Sequence, residues 1–142
     1  MTTLRKHSKN PVAQCKVRIQ GLCRSLAIMR DGGCVLRNRK DVPPCNGYRN
    51  DGELILQYDH LNSRVFNVSY ADIRLGVILC LGHHGWKKWN KEKYDILIRE
   101  VIGKKRAELW DRVKKDKKTY RMELWDWTKV EIGLTKDLKD LI

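Results

Sequence analysis

No run of apolar residues in this 142-residue chain approaches the length of a bilayer span, and no apolar h-region follows the first few residues. Neither a membrane segment nor a secretory leader is expected, and a cytosolic location is. The five cysteines cannot all pair within one chain. In that compartment they argue for thiols or metal ligands and against a disulfide framework. Acidic residues are scarce at the start: residues 1–50 hold only Asp31 and Asp41 against eleven Lys/Arg. There is no internal repeat and no low-complexity stretch, so the length fits one modest domain able to bury a core.

What is present is positive charge with a definite distribution. The formal net charge is +13. Residues 51–100 carry seven charges of each sign, whereas residues 101–142 carry twelve basic and eight acidic groups. A basic arm and a basic tail thus flank a neutral centre, which suits a polyanion held at the flanks of a central site. Solvated helix faces explain the Lys-rich tail equally well. The runs Lys104-Lys105-Arg106 and Lys114-Lys115-Asp116-Lys117-Lys118 are most simply read that way.

Residues 1–11 read as a flexible basic arm closed by Pro11, with His7 a solvated side chain. Residues 12–29 carry a helical stripe (Val17, Leu22, Leu26, Met29), ended by Gly32-Gly33. Cys15 and Cys23 on this helix read as buried thiols. Residues 34–52 are rich in breakers, and residues 53–58 form a β-run leading into Asp59-His60. Residues 65–79 are read as a weaker extended segment. A helix is predicted over 83–101, with Trp86 and Trp89 packing on one face, then another over 104–117 and a short one after Trp127. Packing is also the stronger reading for Trp110, Trp125 and Trp127. The organisation expected is an arm (1–11), a core with its preceding helix (12–102) and a basic helical extension (103–142).

Four residues have metal-site character. Cys80-Leu81-Gly82-His83 is a C-x2-H knuckle whose glycine lets the backbone fold around an ion. Cys34 follows Gly32-Gly33, and Cys45 follows Pro43-Pro44. All four sit beside turn breakers rather than within apolar stripes, and Cys₃His is a closed ligand set for structural Zn²⁺.

Asp59-His60, fourteen residues, position 75, eight residues and His84 follow the HNH spacing. With the bracketing knuckles, this stretch resembles the HNH (ββα-metal) endonuclease superfamily over roughly residues 22–100. Asp59-His60-Leu61-Asn62-Ser63-Arg64, the basic helix after the knuckle and the small size further resemble phage recombination endonucleases of the lambda NinG/Rap kind. The resemblance implies an α+β fold: a small, treble-clef-like ββα-metal core bound to zinc, with flanking helices. It implies DNA hydrolysis, at duplex or branched recombination intermediates. His60 would be the general base, and Asp59 and His84 would hold a catalytic Mg²⁺ or Mn²⁺. Arg64, Lys87 and Lys88 are candidate phosphate contacts, with ordinary solvated charge the alternative for the two lysines. The family's middle asparagine, which holds the loop bearing the base, is replaced by Leu75. Asp72 or Arg74 are the polar residues nearest to substitute. A zinc-stabilised DNA-binding module without catalysis is therefore the alternative function. Cutting both strands calls for two sites, which a homodimer would supply.

Overall fold

Asn10 turns the chain into its first helix. Its side-chain oxygen accepts from the N–H groups of Val12 and Ala13, and Pro11 takes the first helical position, where a missing N–H costs nothing. Helix α1 (Pro11–Asp31) therefore starts ahead of the predicted 12 and ends at a left-handed Gly32. The computed structural model describes residues 10–62, 67–115 and 122–141. His7 and most of the expected arm, as well as Arg64, lie outside the described residues.

The architecture is α+β. Strands β1 (Leu56–His60) and β2 (Gly76–Cys80) pair antiparallel, with Asp59 opposite Val77 and His60 opposite Gly76. The β-run starts at Leu56 and not at 53 because the preceding residues close a turn. Arg49 N donates to Glu53 O, and Ile55 N donates to Gly47 O. Segment 65–79 is also not extended throughout. A single turn of helix α2 (Asn67–Tyr70) and a 3-10 turn (Ile73–Leu75) precede β2, the latter begun by Asp72, whose carboxylate accepts from Arg74 N.

β2 is buried along its whole length and satisfies both edges. One edge pairs with β1. On the other, Ile78 N donates to the Asp31 carboxylate at the end of α1, and Ile78 O accepts from Val35 N. Side-chain alternation then feeds two cores. Val77 and Leu79 join Tyr94, Leu97, Ile98 and Ile102 of α4 (Lys91–Ile102) and Trp110 of α5 (Lys104–Lys115). Ile78 and Tyr58 join Cys15, Ile19, Cys23 and Leu26 of α1, with Trp127 and Leu134 of α6 (Leu124–Leu141). Gly76 is required where it stands, since a Cβ there would lie 2.0 Å from the Tyr58 ring.

Three helical expectations are corrected. The helix predicted over 83–101 is interrupted: α3 (Leu81–Trp86) passes into a 3-10 turn (Lys87–Trp89), and Asn90, at φ −139° and ψ 42°, breaks the chain before α4. The break separates the two tryptophans expected on one face, so Trp86 is half-buried and Trp89 is 89 % exposed. The C-terminal helix is not short. It begins at Leu124, spans eighteen residues and packs along α1, where Arg18 forms a two-pronged ion pair with Glu131. Of its tryptophans, Trp127 is buried and Trp125 is exposed. Finally, Arg106 is not a solvated charge. Its guanidinium donates to Arg74 O and Gly76 O, and burial, followed by repulsion from Arg30, lowers its pKa.

Trp127 also meets the Tyr70 ring edge-on at 5.5 Å. Trp127→Ala should therefore cost about 3–5 kcal/mol in chemical denaturation, as truncation of a large buried aromatic does. Trp125→Ala should change stability by less than about 0.5 kcal/mol. Equal effects of the two would contradict the packing of α6 on α1.

Candidate functional site

The hydrogen bonds that satisfy β2 also assemble the cysteine cluster. The Val35–Ile78 bond draws the loop after α1 alongside β2, so Cys34 comes next to Cys80. At the start of α3, Leu81 N donates to Ile55 O and Gly82 N donates to Asn46 O, which seats Cys45 against the knuckle. Gly82 is closely packed there, since a Cβ would lie 3.1 Å from Asn46 O. The potential ligand atoms of Cys34, Cys45, Cys80 and His83 all fall within 4.8 Å of one another. His83 Nδ1 lies 3.2 Å from Cys34 Sγ, 3.2 Å from Cys80 Sγ and 3.8 Å from Cys45 Sγ. A tetrahedral zinc with ordinary bond lengths separates sulfur from nitrogen by about 3.5 Å, in the middle of that range.

The donor chemistry agrees. His83 Nε2 donates to Pro43 O at 2.6 Å, so the ring presents Nδ1 as acceptor toward the three sulfurs, the outer-sphere arrangement usual for a metal-bound imidazole. Burial pushes the Cys45 thiol up to about 12, and the neighbouring Cys34 and Cys80 push in the same direction. Burial raises Cys34 as well. Three thiols this close resist ionising together unless a cation sits among them. The cluster can hold a metal ion such as zinc. Cys15 and Cys23, by contrast, are buried among the apolar residues of α1.

A second group lies beyond the knuckle, along the outer edge of β1. Asp59, His60, His84, Lys87 and Lys88 line one cleft of about 760 Å³, whose opposite wall is Val17, Gln20, Gly21 and Arg24 of α1. Successive strand residues point to opposite faces, and the cleft wraps this edge so that both Asp59 and His60 reach it. Asp59 is only 3 % exposed. Its Oδ1 lies 3.5 Å from His84 Nε2 and forms an ion pair with Lys87, while Oδ2 accepts from the Tyr94 hydroxyl. Burial, and then the Asp59 charge, hold the Tyr94 phenol well above its usual pKa, so it remains a donor. Lys88 is exposed at the cleft, and Lys87, also a candidate phosphate contact, pairs with the carboxylate.

His60 is held by Tyr58 and Tyr70. Its Nε2 lies 3.0 Å from Tyr70 O, and its ring packs edge-on against Tyr58 and tilted against Tyr70. A carbonyl only accepts, so Nε2 carries the proton and the basic lone pair belongs to Nδ1. Leu75 is buried in the α4–α5 core, and its backbone carbonyl accepts from Leu61 N. Asp72 and Arg74 pair with each other. The side-chain bond across the His60 loop runs from Asn62 Nδ2 to Ser69 Oγ at 3.0 Å.

Sequence reasoning missed Tyr94, Tyr70, Asn62, Ser69 and Arg24. Tyr94 lay in an apolar helical stripe, where nothing marks a hydroxyl with a distant acid partner. Asn62 stood inside the Asp59–Arg64 stretch, but nothing there set it apart from Gln57, which is equally near the Asp-His pair. Compared with protein-family models, curated proteins and solved structures, the chain matches none.

Purified protein should carry one zinc per chain by elemental analysis. Cys80→Ser should abolish that content and the cooperative unfolding transition, whereas Cys15→Ser and Cys23→Ser should retain the zinc. Full zinc in Cys80→Ser would refute the cluster as the metal site.

Proposed function

We propose that this chain is a metal-dependent endonuclease of the HNH type that hydrolyses DNA phosphodiester bonds. The observation that carries the reading is the meeting of Asp59, His60 and His84 in one cleft, beside a Cys₃His cluster. The succession β1–β2–α3 with the cluster at its turn supports a treble-clef-like ββα-metal core in which zinc is structural. The basic surface supports DNA as the partner; branched recombination intermediates follow from the closer family resemblance, and a homodimer from the need for two sites to cut both strands.

The residues present fit a divalent cation. The 3.5 Å gap from Asp59 Oδ1 to His84 Nε2 is near the spacing of about 3 Å between adjacent ligands of one octahedral Mg²⁺. Asp59 and His84 would hold Mg²⁺ or Mn²⁺, which would supply positive charge against the scissile phosphate and the leaving oxygen. The chain's own residues do the rest. Tyr70 O holds the His60 ring in the tautomer whose Nδ1 can take a proton from the attacking water. The Asn62–Ser69 bond and the Leu61–Leu75 bond tie the two residues that follow His60 to the segment before β2. Lys88 and Arg24, on opposite walls of the cleft, are positioned for the phosphates that flank the scissile one.

A second reading, a zinc-stapled nucleic-acid binder without catalysis, is favoured by two observations. Leucine stands where the family has asparagine, and Lys87 already neutralises Asp59. Cleavage of matched linear, flap and four-way-junction DNAs with Mg²⁺ or Mn²⁺ separates the two. His60→Ala should lower the rate by about 10²- to 10⁴-fold, the usual worth of a general base, with DNA affinity retained. Steeply salt-sensitive binding with no cleavage in either metal would leave only the binder. Asn62→Ala should slow cleavage without changing zinc content, a loss read in kcat rather than KM.

A further inference from the structure

Of the cationic side chains that line the cleft, Arg24, Lys87 and Lys88, one is paired with the cleft's own carboxylate. Lys87 sits on the 3-10 turn after α3 and directs its ammonium to Asp59 Oδ1, the same oxygen that faces His84 Nε2. The ammonium also lies 5.6 Å above the Tyr94 ring, and the side chain is only 22 % exposed. A buried carboxylate demands a counter-charge, and here it comes from a residue that also lines the cleft facing solvent.

We infer that Lys87 is a resident counter-ion which competes with the divalent cation for Asp59 and is drawn off by DNA phosphate. This rests on the nuclease reading and adds an order to it: cation and polyanion bind with positive coupling through one ammonium group. Without DNA, Lys87 neutralises Asp59, and a divalent cation must displace it. With DNA in the cleft, a phosphate oxygen offers the ammonium a second anionic partner within reach of its flexible stem. The carboxylate is then released to the metal. Linkage requires reciprocity, so bound metal strengthens DNA binding by the same factor. The device keeps the hydrolytic site uncharged by metal until substrate arrives.

The test is Mn²⁺ binding by the zinc-loaded full chain, read from loss of the free-ion EPR signal. Lys87→Met keeps the apolar stem over Tyr94 and removes the charge, and Lys87→Gln keeps a hydrogen-bond donor for Asp59. Zinc content and far-UV circular dichroism establish that each variant is folded. Both neutral variants should bind Mn²⁺ at least about tenfold more tightly than the wild type, because one competing charge is gone from a shielded site. Lys87→Arg should stay as weak as the wild type.

In a His60→Ala background, which leaves the DNA intact, a short duplex should raise Mn²⁺ affinity markedly more with Lys87 present than with Met. A purely structural lysine would not produce tighter metal binding when removed. Equal Mn²⁺ affinity in wild type and both neutral variants would overturn the inference, and so would equal enhancement by DNA. If metal-dependent cleavage persisted in that case, the nuclease reading would stand alone. If neither Mn²⁺ binding nor cleavage were found, both would fall.

Discussion

Asp59 brings a carboxylate into a place where almost none of the residue meets water, and a charge so placed has to be matched by the protein around it. The groups that match it come from three separate segments: His84 from α3, Lys87 from the following 3-10 turn and Tyr94 from α4. That requirement ties the end of β1 to α3, the 3-10 turn after it and α4. Trp86 and Lys87 both keep right-handed helical dihedrals, so Lys87 reaches the carboxylate before the chain leaves the helix at Asn90.

The cysteine cluster works on the same junction from the other side. It closes the loop after α1, the turn-rich segment and the start of α3 around a single point, in a region with few apolar side chains to hold it. β2 supplies the complementary restraint, being covered on both faces and bonded along both edges. Between these two anchors, β1 keeps an open outer edge, and the cleft lies along it. The edge is partly blunted by Arg24, whose Nε donates to Leu56 O.

The parts legible in the sequence were those with local signatures. The ligand candidates stood beside glycines and prolines, the Asp-His pair followed a β-run, and α1 had both stripe and stop. The rest depended on partners far apart in the chain. Nothing in the text around Lys87 distinguishes it from Lys88, yet one meets a carboxylate 28 residues earlier and the other faces solvent. Arg106 sits in a basic run that reads as surface, and only the end of β2 gives it two carbonyls to bind. The stripe on α6 was too weak beside its charges to be read as a long helix, because its apolar face is completed by α1, over a hundred residues away. Asn90 is a residue type that favours helix N-caps, and it stands at that position of α4, but the apolar stripe running past it masked the interruption.

Gly76 O accepts from two guanidinium groups at once, Arg30 Nη2 at 2.7 Å and Arg106 Nη2 at 2.9 Å. One belongs to α1 and the other to α5, so helices on opposite sides of the sheet converge on a single carbonyl. Gly76 is the residue paired with His60. The imidazole is thus moored to a point that both helical layers grip, and a shift of either layer is transmitted to the ring through that carbonyl and the strand pairing. Damage at Arg30 or Arg106, neither of which lines the cleft, would be felt as a loss of aim in the His60 imidazole.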